Sequence, residues 1–255
     1  MIEEGKYIYC IIGTNEGRNF GPLGIGGRGD IVSTIGYEDL SAVISNFPMD
    51  KYVISRENLI AHEKVVEEVM RDYTVLPMRF CTVASSAEEV RSLLRRRYLE
   101  LKGLLRDLDN KIELGVKAYW QEMKFIFQEI AEEDEKIKSY REKIAKGSGQ
   151  EKDNDQENYK EKVKLGKMVK KALEEKREQE GQKIVNSLKR ISYDFHLNNT
   201  SGDEMLINAV FLVDRTREKE FDQQISELDK QYGERIRFKY IGPTPPYSFV
   251  NLSLK

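Results

Sequence analysis

The chain has 255 residues, 39% of them hydrophobic, and 42 basic side chains stand against 44 acidic ones, for a formal net charge of -2. That length fits one large domain or two small ones with a real buried core, and the near-neutral balance gives no case for a nucleic acid or a membrane as partner. Two cysteines, Cys10 and Cys81, exclude a disulfide scaffold and a cysteine-rich zinc module, and no run approaches the roughly 20 apolar residues that cross a bilayer.

The start, MIEEGKYIYC, opens with two glutamates and has only a short apolar run from Tyr7 to Ile12, unlike the basic start and longer apolar stretch of a secretory signal, so the expected location is the cytoplasm with both thiols reduced. Lys6–Gly13 is β-rich and mostly apolar, a buried strand. A glycine-rich segment follows and is expected to be a flexible loop. Ile31–Tyr37 and Leu40–Phe47 read as strands joined by a tight turn at Glu38–Asp39, and Pro48 ends the pairing. Ser55 is an N-cap, and the apolar stripe from Leu59 to Met70 predicts an amphipathic helix over Ser55–Tyr73. Thr74–Val83 is strand-like but broken at Pro77. Ser86 with Glu89 is a capping box opening a second helix, about Ala87–Asp109. Ile112–Trp120 alternates as a half-buried strand.

The next stretch changes character: from Glu132 to Arg190 roughly half the residues are charged. Its apolar residues keep a narrow seam. Met123, Ile130, Ile137 and Ile144 lie seven apart, with Phe127 and Tyr140 beside them; Ile184, Leu188, Ile191 and Phe195 follow 4-3-4 spacing. This predicts an antiparallel, coiled-coil-like helical hairpin over about 123–196, projecting into solvent, with a mobile tip at 146–156. Glu174–Lys183 has no apolar residue, so incomplete packing is expected there. A solvated structural arm and a partner-docking arm both stay open. Beyond it, Met205–Val213 is a strand, Arg215–Tyr232 an amphipathic helix and Ile236–Tyr240 a strand.

The fold class is therefore α+β: small open sheets with helices on one face, ferredoxin-like in outline. The expected division is an N-terminal domain over 1–110 and a C-terminal α+β domain over 111–255 that carries the hairpin.

Little of the chain has the pattern of a catalytic site. Gly24, Gly26 and Gly29 spell GxGxxG, but a dinucleotide site needs that pattern between a strand and a helix, and here a strand follows. Arg28–Asp30 spells an adhesion tripeptide with no export signal to give it meaning. His62 and His196 are the only histidines, His62 expected at a helix surface or cap, and no cluster has metal-ligand spacing. Cys81 paired with a distant histidine would make a nucleophile and base, without recognisable context for either. Arg91, Arg95, Arg96 and Arg97 form a basic cluster; an RNA-binding reading needs strand aromatics such as Tyr7, Tyr9, Phe80 and Tyr119 displayed beside it.

Two segments remain, Val75–Val83 (VLPMRFCTV) and Gly242–Val250 (GPTPPYSFV). With KYIYCIIG and the Leu40–Asn46 strand (LSAVISN), they resemble the gas vesicle accessory family GvpF/GvpL, over nearly the whole chain. Leu76, Pro77, Arg79, Phe80 and Thr82 match a Leu-Pro-Leu-Arg-Phe-Gly-Thr run, with Met78 for the second leucine and Cys81 where glycine is common. Gly242, Pro243, Pro245, Pro246 and Tyr247 match Gly-Pro-Trp-Pro-Pro-Tyr, with Thr244 in the tryptophan position. The resemblance implies a non-enzymatic role in building gas vesicles, without cofactor, metal or small-molecule substrate. It implies the small hydrophobic major shell protein and other minor vesicle proteins as partners. It also implies a ferredoxin-like N-terminal domain and a C-terminal domain of coiled-coil character. The residues expected to meet a partner are Pro77, Arg79, Phe80, Pro243, Pro245, Pro246 and Tyr247. The competing readings are a ferredoxin-like RNA-binding or regulatory module and an enzyme that uses Cys81.

Overall fold

The computed structural model describes residues 4–48, 54–147 and 155–252. The first half runs β1 (Glu4–Ile12), β2 (Asn19–Gly21), β3 (Val32–Tyr37), β4 (Leu40–Pro48), α1 (Arg56–Met70), β5 (Val75–Pro77), β6 (Val83–Ala84), α2 (Ala87–Arg96) and α3 (Tyr98–Asp107). The second runs β7 (Lys111–Trp120), α4 (Met123–Glu133), α5 (Glu135–Gly147), α6 (Asp155–Lys189), β8 (Asp194–Leu197), β9 (Met205–Asp214), α7 (Glu218–Tyr232) and β10 (Ile236–Thr244). Mixed helix and sheet agree with the expected α+β class. By internal contacts the chain groups into one unit of Met1–Leu114, Val210–Glu218 and Ile241–Lys255, and a second of Gly115–Ala209 and Lys219–Tyr240.

In the first unit the sheet order is β2-β3-β4-β1-β5, with β6 also on β1. Central β1 is paired along both edges and buried from Tyr7 to Ile12. A bulge between Ile8 and Cys10 turns Tyr9 and Cys10 to the same side. Tyr7, Tyr9, Cys10 and Ile12 then meet Val65, Val66 and Val69 of α1. Ile8 and Ile11 instead meet Val90, Leu93 and Leu94 of α2 and Leu101 and Leu105 of α3. Helices therefore cover both faces of this sheet, not one, because β1 carries apolar residues on both of its sides. Each such burial contributes about 1.5–3 kcal/mol.

Local chemistry explains the element ends. The Ser55 side chain accepts the Asn58 N–H, and Ser86 accepts that of Glu89, so both expected caps form. The single helix expected over Ala87–Asp109 is two, broken at Arg97, whose backbone (φ -109, ψ 17) leaves the helical region. The break lets the leucines before and after it reach the same cluster. The glycine loop is tied to the sheet and to α1 at several points. It contributes β2, its Ile25 is buried, the Ile25 N–H bonds the Tyr9 hydroxyl, and the Gly26 N–H bonds Asn58 Oδ1.

A second sheet has the order β10-β7-β9-β8. In the second unit α4 and α5 pack along α6. Ile126, Ile130 and Ile137 are buried, as are Leu173, Ile184, Val185 and Leu188, whereas Phe127 is exposed. The first arm is interrupted at Asp134, whose carboxylate accepts the N–H groups of Lys136 and Ile137 and so starts a new helix. The second arm ends at Lys189; Phe195, assigned to its seam by spacing, lies in β8. Most of the expected tip, residues 148–154, lies outside the described residues. Among the described residues no helix is long and apolar enough to cross a membrane.

The stretch Glu174–Lys183 is exposed at most positions, and its inward-facing residues are held by polar contacts. Buried Trp120 donates its indole N–H to Glu180 (2.9 Å). Arg235 forms a fork on Glu129 (2.5 and 2.8 Å) and also reaches Glu180 (2.6 Å). Lys176 joins Glu129 and Glu133, and Gly181 is buried with the Ile207 side chain 3.4 Å from where a Cβ would stand. The Arg235 guanidinium, and next Lys176, hold the Glu129 carboxyl down to about 2. Replacing Arg235 with Ala leaves two carboxylates facing each other and should cost about 1–3 kcal/mol. Urea unfolding of Arg235→Ala against wild type measures it; an unchanged midpoint would show the network to be idle.

Candidate partner-binding site

The two motif segments come together in the first unit, around a polar centre on β1. Pro77 ends β5 opposite Cys10, and the chain rejoins β1 where the Ile8 N–H bonds the Thr82 carbonyl (2.8 Å). Between them residues 79–82 form a tight loop, closed by the Thr82 hydroxyl donating to the Arg79 carbonyl (2.6 Å). Cys81 has φ 71, in the left-handed region that favours glycine. That is why glycine suits this position of the motif.

The Tyr7 hydroxyl accepts the Cys81 N–H (2.9 Å) and lies 2.9 Å from His62 Nδ1. One hydroxyl thus links the motif loop to the His62 imidazole of α1. Expected at a surface or cap, His62 is instead 1% exposed, because α1 turns it towards the sheet. Burial holds it down to about 4, outweighing the Met78 carbonyl that favours its charged form. Phe80 and Tyr247 bring their rings to 5.8 and 6.3 Å from that of His62.

The tail is anchored by a carboxylate. Buried Glu113 accepts the Ser248 N–H (2.7 Å) and hydroxyl (2.8 Å), and Thr244 donates to the Glu113 carbonyl. Gly242 has φ 133, and a Cβ there would come within 2.9 Å of Leu114 Cδ2 and 3.0 Å of the Glu113 carbonyl, so only glycine fits. Val250 and Leu252 then enter the same cluster as Leu76 and Met78.

The expected site residues thus divide. Pro77, Pro245 and Pro246 are buried, and Phe80 and Tyr247 are half-buried against His62. Arg79 and Pro243 are exposed, and Arg79 donates to Asn251 (2.5 Å). Sequence reasoning missed Tyr7, His62, Glu113 and Ser248, whose partners lie 55 to 135 residues away. An apolar strand with two tyrosines was the one available signal.

The rival chemistries lack support here. Burial raises the Cys81 thiol, and a nucleophile and base need a lowered thiol beside an imidazole that titrates near neutrality. Tyr7 and Tyr9 are fully buried, so they form no stacking platform for bases. Arg91 and Arg97 pair with Glu88 and Glu100. Among the described residues no group of three or more His, Cys, Asp or Glu is placed to hold a metal ion.

What remains is an α+β protein whose two motif segments meet in one junction shaped by glycine and proline. The chain belongs to the family of gas vesicle synthesis proteins GvpL/GvpF, which it matches over residues 5–251. It is 29% identical to gas vesicle protein F of Nostoc sp. over 82% of this chain and 83% of that one. It is 30% identical to gas vesicle protein F of a Streptomyces species, over 83% and 84%. The crystal structure of the gas vesicle protein GvpF from Anabaena sp. superposes with a TM-score of 0.84 at 26% identity, covering 98% of this chain and 99% of that one.

Two outcomes follow from this geometry. The folded-state pKa of His62 lies below its unfolded value near 6.5, so its contribution is whole above that pH and is lost as pH falls towards 4. Denaturant titrations should show a loss of about 3 kcal/mol over that window, absent in His62→Gln. Cys81→Gly relieves a left-handed backbone and should raise stability by roughly 1 kcal/mol, read as a higher melting temperature; a lower one would show that the side chain packs better than the backbone suffers.

Proposed function

We propose that the protein serves gas vesicle assembly, or is a minor vesicle component, by binding the small hydrophobic major shell protein together with other minor vesicle proteins. The observation that carries this reading is family membership over residues 5–251, joined to the folding of both motif segments into one junction. A shell subunit exposes apolar surface before it polymerises, and a partner limits its premature association. Arg79, Phe80 and Pro243 are the residues offered to that partner, with Pro77, Pro245, Pro246 and Tyr247 holding them in place. Strand β5 ends its sheet order and is three residues long, a short edge at which an extended segment can pair briefly. The charged faces of α5 and α6 keep such a complex in solution, and the place of action is the vesicle.

Pulldown of the major shell protein by the full chain, wild type against Arg79→Glu, tests the assignment. Binding should weaken about tenfold or more and vesicle yield should fall, while the melting temperature holds. Equal binding and yield would remove Arg79 from the interface.

A further inference from the structure

The near-zero net charge hides a segregation along the second unit. On α6, Lys160, Lys164, Lys167 and Lys171 follow 4-3-4 spacing and are exposed. On a helix of 3.6 residues per turn they share one face. Tyr159 and Val163 flank them on that face, 70% and 41% exposed. Leu165, Met168, Val169 and Leu173 occupy the other, packed side of the helix. Lys164 rests over the Tyr140 ring (4.9 Å) and Lys171 pairs with Glu175 (3.6 Å); Lys160 and Lys167 make no ion pair among the described residues.

At the other end of the same unit lies the opposite chemistry. A cleft of about 500 Å³ is lined by one face of α4, with Glu122, Phe125, Gln128 and Glu132, and by Glu234 with Arg235 from the turn after α7. Phe125 is 59% exposed there. Arg235 is already held by Glu129 and Glu180, so it does not neutralise the remaining carboxylates. Glu122 and Glu234 make no ion pair among the described residues. The result is an acidic groove with an exposed aromatic ring in its lining: the complement of a lysine face with a tyrosine and a valine in it. The lysine face cannot reach the groove of its own chain. Lys176 is the lysine at that level; of the face, Lys171 lies five residues further along α6, roughly 8 Å, and is paired with Glu175, while Lys167 lies nine residues along, roughly 13 Å at 1.5 Å per residue.

We propose that the lysine face of α6 in one copy docks into the α4 cleft of a second copy. The contact is heterologous, since each copy offers one groove and one face, so it propagates head to tail into chains or closes into a ring. Association is steered by charge and is therefore salt-dependent. This inference is separate from the vesicle reading and stands or falls without it.

Sedimentation velocity of the full chain tests it. At about 0.01 M ionic strength, where the screening length is roughly 30 Å, mass should grow with protein concentration; at about 0.15 M, where it is roughly 8 Å, the distribution should fall back towards monomer. Glu122→Lys with Glu132→Lys in the cleft, or Lys160→Glu with Lys167→Glu on α6, should each weaken self-association about tenfold or more. Mixing the two variants should restore it, because the reversed cleft then meets the reversed face. Wild type that stays monomeric at low salt overturns the proposal, as does a mixture of folded variants that does not associate. Should either double variant misfold by circular dichroism, Glu234→Lys alone, on an exposed turn, carries the same expectation. Wild type that is monomeric yet retains a single-stranded oligonucleotide would make the face a polyanion surface, and the second-copy assignment would fall.

Discussion

Strand β1 is covered on both faces and paired along both edges, so every polar group it carries must be satisfied inside the protein. Tyr7 is where this constraint is sharpest. Its ring fills core space, and its hydroxyl would be left without water, at a cost of about 1–3 kcal/mol if unpaired. The partners it finds are the His62 imidazole on α1 and the Cys81 N–H in the motif loop. One hydroxyl thereby ties the strand, the helix and the loop into a single arrangement. The neutral histidine is a consequence: a charged imidazole in that position would need a counter-charge, and Tyr7 supplies a dipole instead. Tyr9 repeats the logic one step along the strand, reaching Ser45 and the Ile25 N–H, and so holds the glycine loop against the same face.

The second unit solves the converse problem. Its α6 carries too few apolar residues near Glu180 for apolar packing alone, and Trp120 brings an indole N–H that needs an acceptor once buried. Glu180 serves Trp120 and Arg235 together, and Arg235 shares its fork with Glu129. Partly buried ion pairs of this kind add modestly to stability but fix register well, since a slip of one helical turn separates every partner. Charge is thus used twice on the same helix: inward and paired near Glu180, outward on the lysine face towards Lys160.

Most of the first half was legible because its signals are local. Ser55 and Ser86 cap helices three residues ahead, alternation marks β7, and Pro77 stops β5 where a proline must. What escaped was long-range or cooperative. The break at Arg97 follows from two leucine groups sharing one core, a fact of packing with no mark in helix propensity. The heptad count carried Phe195 into a helix that ends at Lys189, since periodicity continues through a turn whenever the residues happen to match. Glu174–Lys183 looked unpackable only because apolar spacing says nothing of a glutamate whose arginine is 55 residues away.

The motif residues show why a binding site is harder to read than a fold. A recognisable run of glycines and prolines marks backbone that has no freedom, and such backbone belongs to construction before it belongs to contact. Gly242 is required because Glu113 and Leu114 leave no room for a Cβ, and Pro245 and Pro246 are buried. Thr244 donates its hydroxyl to the Glu113 carbonyl, so the tail is held there by a hydrogen bond. In the proposed reading, a partner meets the products of these constraints, the Arg79 loop and the Pro243 corner. Substitutions beneath them move the surface without touching anything bound to it, and stability and binding separate only at the exposed positions.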